Sequence, residues 1–179
     1  MIAGAARAGK SKSSELEEVA PKSPGRLTFK AVVEYDGTLY LGFQIQRTGR
    51  TVQGELERAL AQVTQHAVRV VGAGRTDTGV HALGQVVHFA AVWRHEPQEL
   101  QRALNAVLAE DVAIRKLSVA PPGFHSRFSA LSREYRYTIQ NTAVRSPLTR
   151  RVACHVEQRL DEAAMDRACL LYTSPSPRD

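Results

Sequence analysis

Between Leu27 and Ala120 the apolar residues switch between two spacings in a set order, and that order restricts the fold more than any other feature of the chain. "LTFKAVVEY" (27–35) alternates Leu27, Phe29, Ala31, Val33 and Tyr35 against Thr28, Lys30, Val32 and Glu34, the period of a half-buried strand. After a polar, glycine-punctuated loop, Thr51 stands where a helix cap belongs. Val52, Leu56, Ala59, Leu60 and Val63 then recur at helical spacing. "AVRVVGA" (67–73) and "GQVVHFAAV" (84–92) read as two more strands. Pro97 suits the first turn of a second helix with Leu100, Ala103, Leu104, Val107 and Leu108 on one face, and "VAIRKLSVA" (112–120) is a fourth strand. The order β-α-β-β-α-β predicts an α+β fold of the ferredoxin-like, split βαβ kind. It implies an antiparallel sheet with both helices on one face and the other face free for a ligand. "LSREYRYTIQN" (131–141) is expected to be a further strand that extends the sheet or begins a second half, with Tyr135, Tyr137 and Ile139 sharing one face; "RVACHVE" (151–157) is another, and residues 161–168 open a third helix.

Composition narrows the class. With 43% hydrophobic residues the chain can bury a core, and a net charge of +6 favours polyanionic partners without proving one. No apolar run reaches membrane-spanning length and no signal-peptide pattern opens the chain, so a cytoplasmic protein without membrane contact is expected. Cys154 and Cys169 offer neither a disulfide framework nor zinc spacing. Residues 1–26 are rich in Ala, Gly, Ser, Lys and Pro and read as a disordered leader. Within them, Gly4 to Ser11 satisfies the P-loop pattern, but three preceding residues leave no room for the strand that such a loop needs; no nucleotide site is expected.

The chemistry is concentrated in "GAGRTDTGVHALGQ" (72–85). Asp77-Thr78-Gly79 also occurs in aspartic proteases, where two carboxylates share a proton. The chain has no second Asp-Thr-Gly, and the guanidinium of Arg75 favours an ionised carboxylate, the wrong state for half of that dyad. The plain alternative is that Asp77 caps a turn and Arg75 sits in solvent. Gly74 and Gly79 flank the turn, permitting sharp backbone geometry and close approach of a ligand.

A larger constellation decides between these. "EYDGTLYLGFQIQ" (34–46), "TVQGELERAL" (51–60), "GRTDTGVHA" (74–82), "NAVLAEDVAI" (105–114) and "FHSRFSALSREYRYTI" (124–139), in this order, resemble the blocks of tRNA pseudouridine synthases of the TruA family. The resemblance implies isomerisation of uridine to pseudouridine in the anticodon stem-loop of tRNA, at tRNA positions 38 to 40. It also implies a homodimer whose basic cleft takes the tRNA anticodon arm. The isomerisation has no redox change, so no metal or cofactor is expected. On this resemblance Asp77 is the nucleophile, attacking either the ribose or the uracil ring. Arg75 keeps Asp77 ionised and fills the gap left by the flipped base, or holds phosphate. Tyr135 stacks on that base and helps move a proton, whereas Tyr137 packs. His125, Arg127 and Gly79 line the substrate site and His81 holds the loop, while His66, His88, His95 and His155 have no case beyond local structure. Arg47, Arg50, Arg75 and Arg127 are expected phosphate contacts, and Arg133 and Arg136 face phosphate or solvent. The rival of another class is a non-catalytic RNA-binding module on the same sheet.

The resemblance covers residues 27–168 and then stops. A second half, with a basic residue to pair with the catalytic Asp, is expected in a complete relative. The ending "CLLYTSPSPRD" (169–179) translates a transposase-type sequencing adapter codon for codon, so a non-native tail on a truncated, inactive chain is the expectation.

Overall fold

A computed structural model describes residues 25–171 of the 179-residue chain; the leader up to residue 24, with its P-loop-like match, and the tail from residue 172 lie outside the described residues. The elements in order are β1 (Leu27–Tyr35), α1 (Val52–Thr64), β2 (Val70–Gly72), β3 (Ala82–Ala91), α2 (Pro97–Val107), β4 (Val112–Val119), β5 (Ile139–Asn141), β6 (Cys154–Val156) and α3 (Glu162–Leu171). The first four strands form one sheet in the order β2-β3-β1-β4, and each neighbouring pair is antiparallel.

The alternation in β1 does what its period requires. Phe29, Ala31, Val33 and Tyr35 are buried, with Phe29 stacked on its cross-strand partner Phe89 at 5.6 Å between ring centroids. The apolar stripes of α1 (Val52, Leu56, Ala59, Leu60) and α2 (Leu100, Leu104) pack on this same face in one core. Thr51 caps α1 by accepting from the Gly54 N–H at 3.2 Å, and Pro97 occupies the start of α2, where its missing N–H costs nothing.

Both edges of the sheet are closed by side chains of the helices. At the β2 edge, Val70 N–H donates to Glu57 Oε1 (3.0 Å) and Val70 O accepts from Gln53 Nε2 (3.0 Å), both from α1. At the β4 edge, Ile114 N–H donates to Asn105 Oδ1 (2.8 Å) and Ile114 O accepts from Asn105 Nδ2 (2.9 Å), with Gln101 Nε2 adding a 3.0 Å bond, all from α2. Each crossover helix thus takes the outward hydrogen bonds of one residue, Val70 or Ile114, in the strand that follows it, which hinders edge-to-edge pairing at that point.

This closure explains the main departure from the sequence reading. Residues 131–138 form no strand: the chain runs past the sheet, leaving Tyr135 63% and Tyr137 89% exposed. Only Ile139–Asn141 pairs, and it does so in parallel with Cys154–Val156, in a separate two-stranded sheet. The strand read from 67–73 is also shorter than expected, with only Val70–Gly72 pairing with β3. Nor is the second face of the main sheet wholly free. Phe124 lies under Lys30 Nζ (5.2 Å to the ring centroid) and packs edge-on against His88, so residues 124–127 cover part of it.

Candidate active site

The turn holding Arg75 and Asp77 is set by backbone contact with the loop after β1. Phe43 N–H donates to Thr76 O (2.9 Å), Gly79 N–H donates to Tyr40 O (3.3 Å), and Val80 N–H closes the turn on Asp77 O (3.2 Å). The two segments come so close because two positions lack a side chain. A Cβ at Gly37 would collide with Val80 O, and one at Gly42, whose φ is +90°, would stand 2.6 Å from Thr76 O. Gly79 also has a positive φ, +78°, but faces open space.

Side chains then fix the approach to the turn residue by residue. Arg133 donates from Nε (3.2 Å) and Nη2 (2.9 Å) to Ala73 O. Gln85 Nε2 donates to Gly74 O at 2.8 Å. The Tyr35 hydroxyl meets Thr76 Oγ1 at 2.8 Å. By contrast, the side chains of Arg75 and Asp77 are exposed, and among the described residues neither has a hydrogen-bond or ion-pair partner. Asp77 is therefore no turn cap, and the expected contact between Arg75 and Asp77 is not made. A carboxylate and a guanidinium are presented on one hydrogen-bonded turn without touching each other, both free to meet a ligand.

Tyr135 belongs to the same neighbourhood although its strand does not form. Burial pushes the Tyr35 hydroxyl pKa above its ordinary value, hydrogen bonds from Thr76 and Gln85 oppose this, and the nearby Tyr135 adds to the rise. His125 and Arg127 join the turn at one remove. Ser126, 2% exposed, donates from Oγ to Val71 O (2.8 Å), its N–H donates to His88 Nδ1 (3.1 Å), and Arg133 Nη2 reaches Arg127 O at 3.4 Å. His125 stacks on Phe128 (4.4 Å) and lies 4.6 Å from the His88 ring; burial, then His125, lowers the His88 pKa. His81 holds the loop, with Nδ1 3.0 Å from Asp36 Oδ1 and Nε2 2.6 Å from Arg151 O. Hydrogen bonds from the Thr38 hydroxyl and N–H keep the Asp36 carboxyl below its ordinary pKa.

Arg50 is not a free cation. Its guanidinium pairs with Asp111 through two bonds (2.6 and 2.9 Å) and lies over the Tyr40 ring, whose hydroxyl donates to the same carboxylate at 2.6 Å. Burial opposes ionisation of Asp111, but these bonds outweigh it and leave the carboxyl pKa lowered; burial and Asp111 push that of Tyr40 far up. The sequence reading missed four residues that shape the site: Tyr35, Gln85, His88 and Arg133. Tyr35 and Gln85 looked like strand positions, and only the polar end of each side chain, near a chemical loop, hinted at more.

Among the described residues no group of three or more His, Cys, Asp or Glu could hold a metal ion. No helix there is long and apolar enough to cross a membrane.

Residues 31–129 match the sequence model of a family described as tRNA pseudouridine synthase. The chain is 52% identical over 136 residues to a tRNA pseudouridine synthase A of Roseiflexus castenholzii, covering 76% of this chain and 50% of that one. Similar relatives occur in Geobacillus (46% over 143 residues, 79% of this chain and 58% of the relative) and Listeria innocua (40% over 141 residues, 78% and 57%). The chain spans about half the length of the curated relatives it matches.

Proposed function

The chain belongs to the tRNA pseudouridine synthase family, and from that premise we propose that the full-length protein isomerises uridine to pseudouridine in the anticodon stem-loop of tRNA, at tRNA positions 38 to 40, with Asp77 as nucleophile. The observation that carries the proposal is the turn itself. Ala73, Gly74 and Thr76 are each held by a side chain from elsewhere, while Arg75 and Asp77 between and beside them are unpartnered and exposed. An enzyme gains rate by holding its reacting groups in position before the substrate arrives.

The reaction balances without any external reagent. The bond from uracil N1 to ribose C1′ breaks, the base turns, a bond from C5 to C1′ forms, the C5 proton leaves and N1 gains one. Asp77 forms the covalent intermediate that divides this into easier steps. Arg75 takes the space left in the stack or a phosphate, Tyr135 stacks on the extruded uracil and assists the proton shift, and Gly79, His125 and Arg127 line the path of the RNA. The sheet order β2-β3-β1-β4 and the shared helix face support reading this unit as a ferredoxin-like half. We infer that the protein acts as a homodimer on the tRNA anticodon arm, in the cytoplasm and without a cofactor.

The test uses the full-length protein and tRNA whose uridines carry tritium at C5. Release of tritium to water, with pseudouridine mapped to the anticodon arm, is expected. Tight tRNA binding with no release would replace the enzyme by an RNA-binding module, and release from other arms of the tRNA would overturn the site assignment.

A further inference from the structure

Tyr35 is buried in the core at 3% exposure, and its ring touches what a phenylalanine would touch there equally well. The hydroxyl is what needs explanation, since a buried hydroxyl must be hydrogen-bonded to be tolerated. It is satisfied at 2.8 Å by Thr76 Oγ1, the side chain immediately before Asp77, in a contact that spans 41 residues of sequence. Thr76 is held on its other side as well, through its carbonyl and the Phe43 N–H. Gln85, on the neighbouring strand β3, holds Gly74 O. The pairing of β1 with β3 slips between Val33 and Tyr35, placing Gln85 opposite Val33 and Ala82 opposite Tyr35. Such irregularities re-aim side chains at the end of a strand. Burial keeps the hydroxyl protonated, so it stays a fixed, uncharged partner over the working pH range.

Resting on the functional reading above, we propose that Tyr35 is a positioning residue: its hydroxyl, through Thr76, fixes where the Asp77 carboxylate stands relative to the uridine. Tyr35 itself touches no substrate. The core below it is indifferent to the oxygen, so removing that oxygen loosens the turn without unmaking the fold.

In the full-length protein, Tyr35→Phe is expected to lower kcat for pseudouridine formation about tenfold, roughly the effect of one lost hydrogen bond expressed only at the transition state, with KM and tRNA affinity unchanged. Thr76→Val does the same, the double variant is no slower than either single one because both break one contact, and Thr76→Ser restores the rate. A second readout is independent of activity. Amide hydrogen exchange at Val80, whose N–H closes the turn on Asp77 O, accelerates in Tyr35→Phe while exchange in the centre of β1 does not. Unchanged kcat with unchanged Val80 exchange overturns the proposal, as does a uniform rise in exchange across β1, which marks a merely structural role. If the wild-type protein makes no pseudouridine, the functional reading fails, and the exchange measurement alone decides whether Tyr35 holds the turn.

Discussion

Replacing Gly42 by alanine perturbs the site through its backbone alone, and the structure allows the size of the effect to be worked out. Gly42 has φ +90°, and an added Cβ stands 2.6 Å from Thr76 O, about 0.8 Å inside the 3.4 Å at which ordinary contact begins. The left-handed backbone costs an alanine about 1–2 kcal/mol. Relief of the clash requires Thr76 to move, which weakens the bond from Phe43 N–H to Thr76 O and removes about 1 kcal/mol more. A loss of about 2–3 kcal/mol lowers Tm by roughly 5–12 °C in a domain of this size. The catalytic effect is larger than the stability effect. Asp77 follows Thr76 directly, and a displacement near 1 Å at a reacting group costs about a hundredfold in rate. Gly79→Ala is the control: the same kind of backbone strain with nothing within 4 Å of its Cβ, so stability falls by about 1–2 kcal/mol with no clash added. Thermal melts and single-turnover tritium release from C5-labelled tRNA measure both quantities. A Gly42→Ala protein with wild-type turnover, or one whose loss lies in KM alone, refutes the view that this backbone contact sets the position of Asp77.

Arg50→Ala is expected to lower stability by about 1–2 kcal/mol, allowing for solvent screening of the exposed side of the pair with Asp111, and to leave the salt dependence of tRNA binding unchanged. Arg75→Ala should do the reverse, keeping Tm and reducing the slope of log affinity against log salt by about 0.7–0.9; equal slopes for both variants contradict the division between paired and free arginines. Gln53→Leu leaves Val70 O without its bond at the β2 edge and should cost about 1–3 kcal/mol in a urea titration. His88 has a folded pKa below its ordinary value, so the unfolded chain binds more protons and stability falls as the pH drops through about 6.5 toward that lower value; His88→Gln should flatten the Tm profile between about pH 7.5 and 5.5.

Where a residue's role follows from its own spacing, the sequence is a sufficient guide. The alternation of β1, the stripe of α1 from Val52 to Leu60, Pro97 at the start of α2 and the cap at Thr51 all depend on neighbours within a few positions. Roles that depend on distant partners are hidden. Arg50 resembles any loop cation until Asp111 is brought to it across 61 residues, and Tyr35 resembles any strand aromatic until Thr76 arrives. The false strand at 131–138 has the same origin. Tyr135, Tyr137 and Ile139 alternate correctly, but a strand also needs a partner, and at Val70 and Ile114 the outward hydrogen bonds of the main sheet's edges already go to Gln53 and Asn105. The Arg75–Asp77 motif was legible as chemistry; that the two side chains stand apart from one another, on a turn fixed by others, was not.

The most direct measurement compares wild-type and Asp77→Asn protein on C5-tritiated tRNA, with tRNA affinity determined in parallel. Asparagine keeps the shape of the side chain and removes the charge and the nucleophile, and nothing else in the described structure leans on that carboxylate. Tritium release is expected to fall to background while affinity stays within about twofold, well under the roughly 1.4 kcal/mol that a tenfold change represents. Release at an undiminished rate from Asp77→Asn would contradict the assignment of Asp77 as nucleophile.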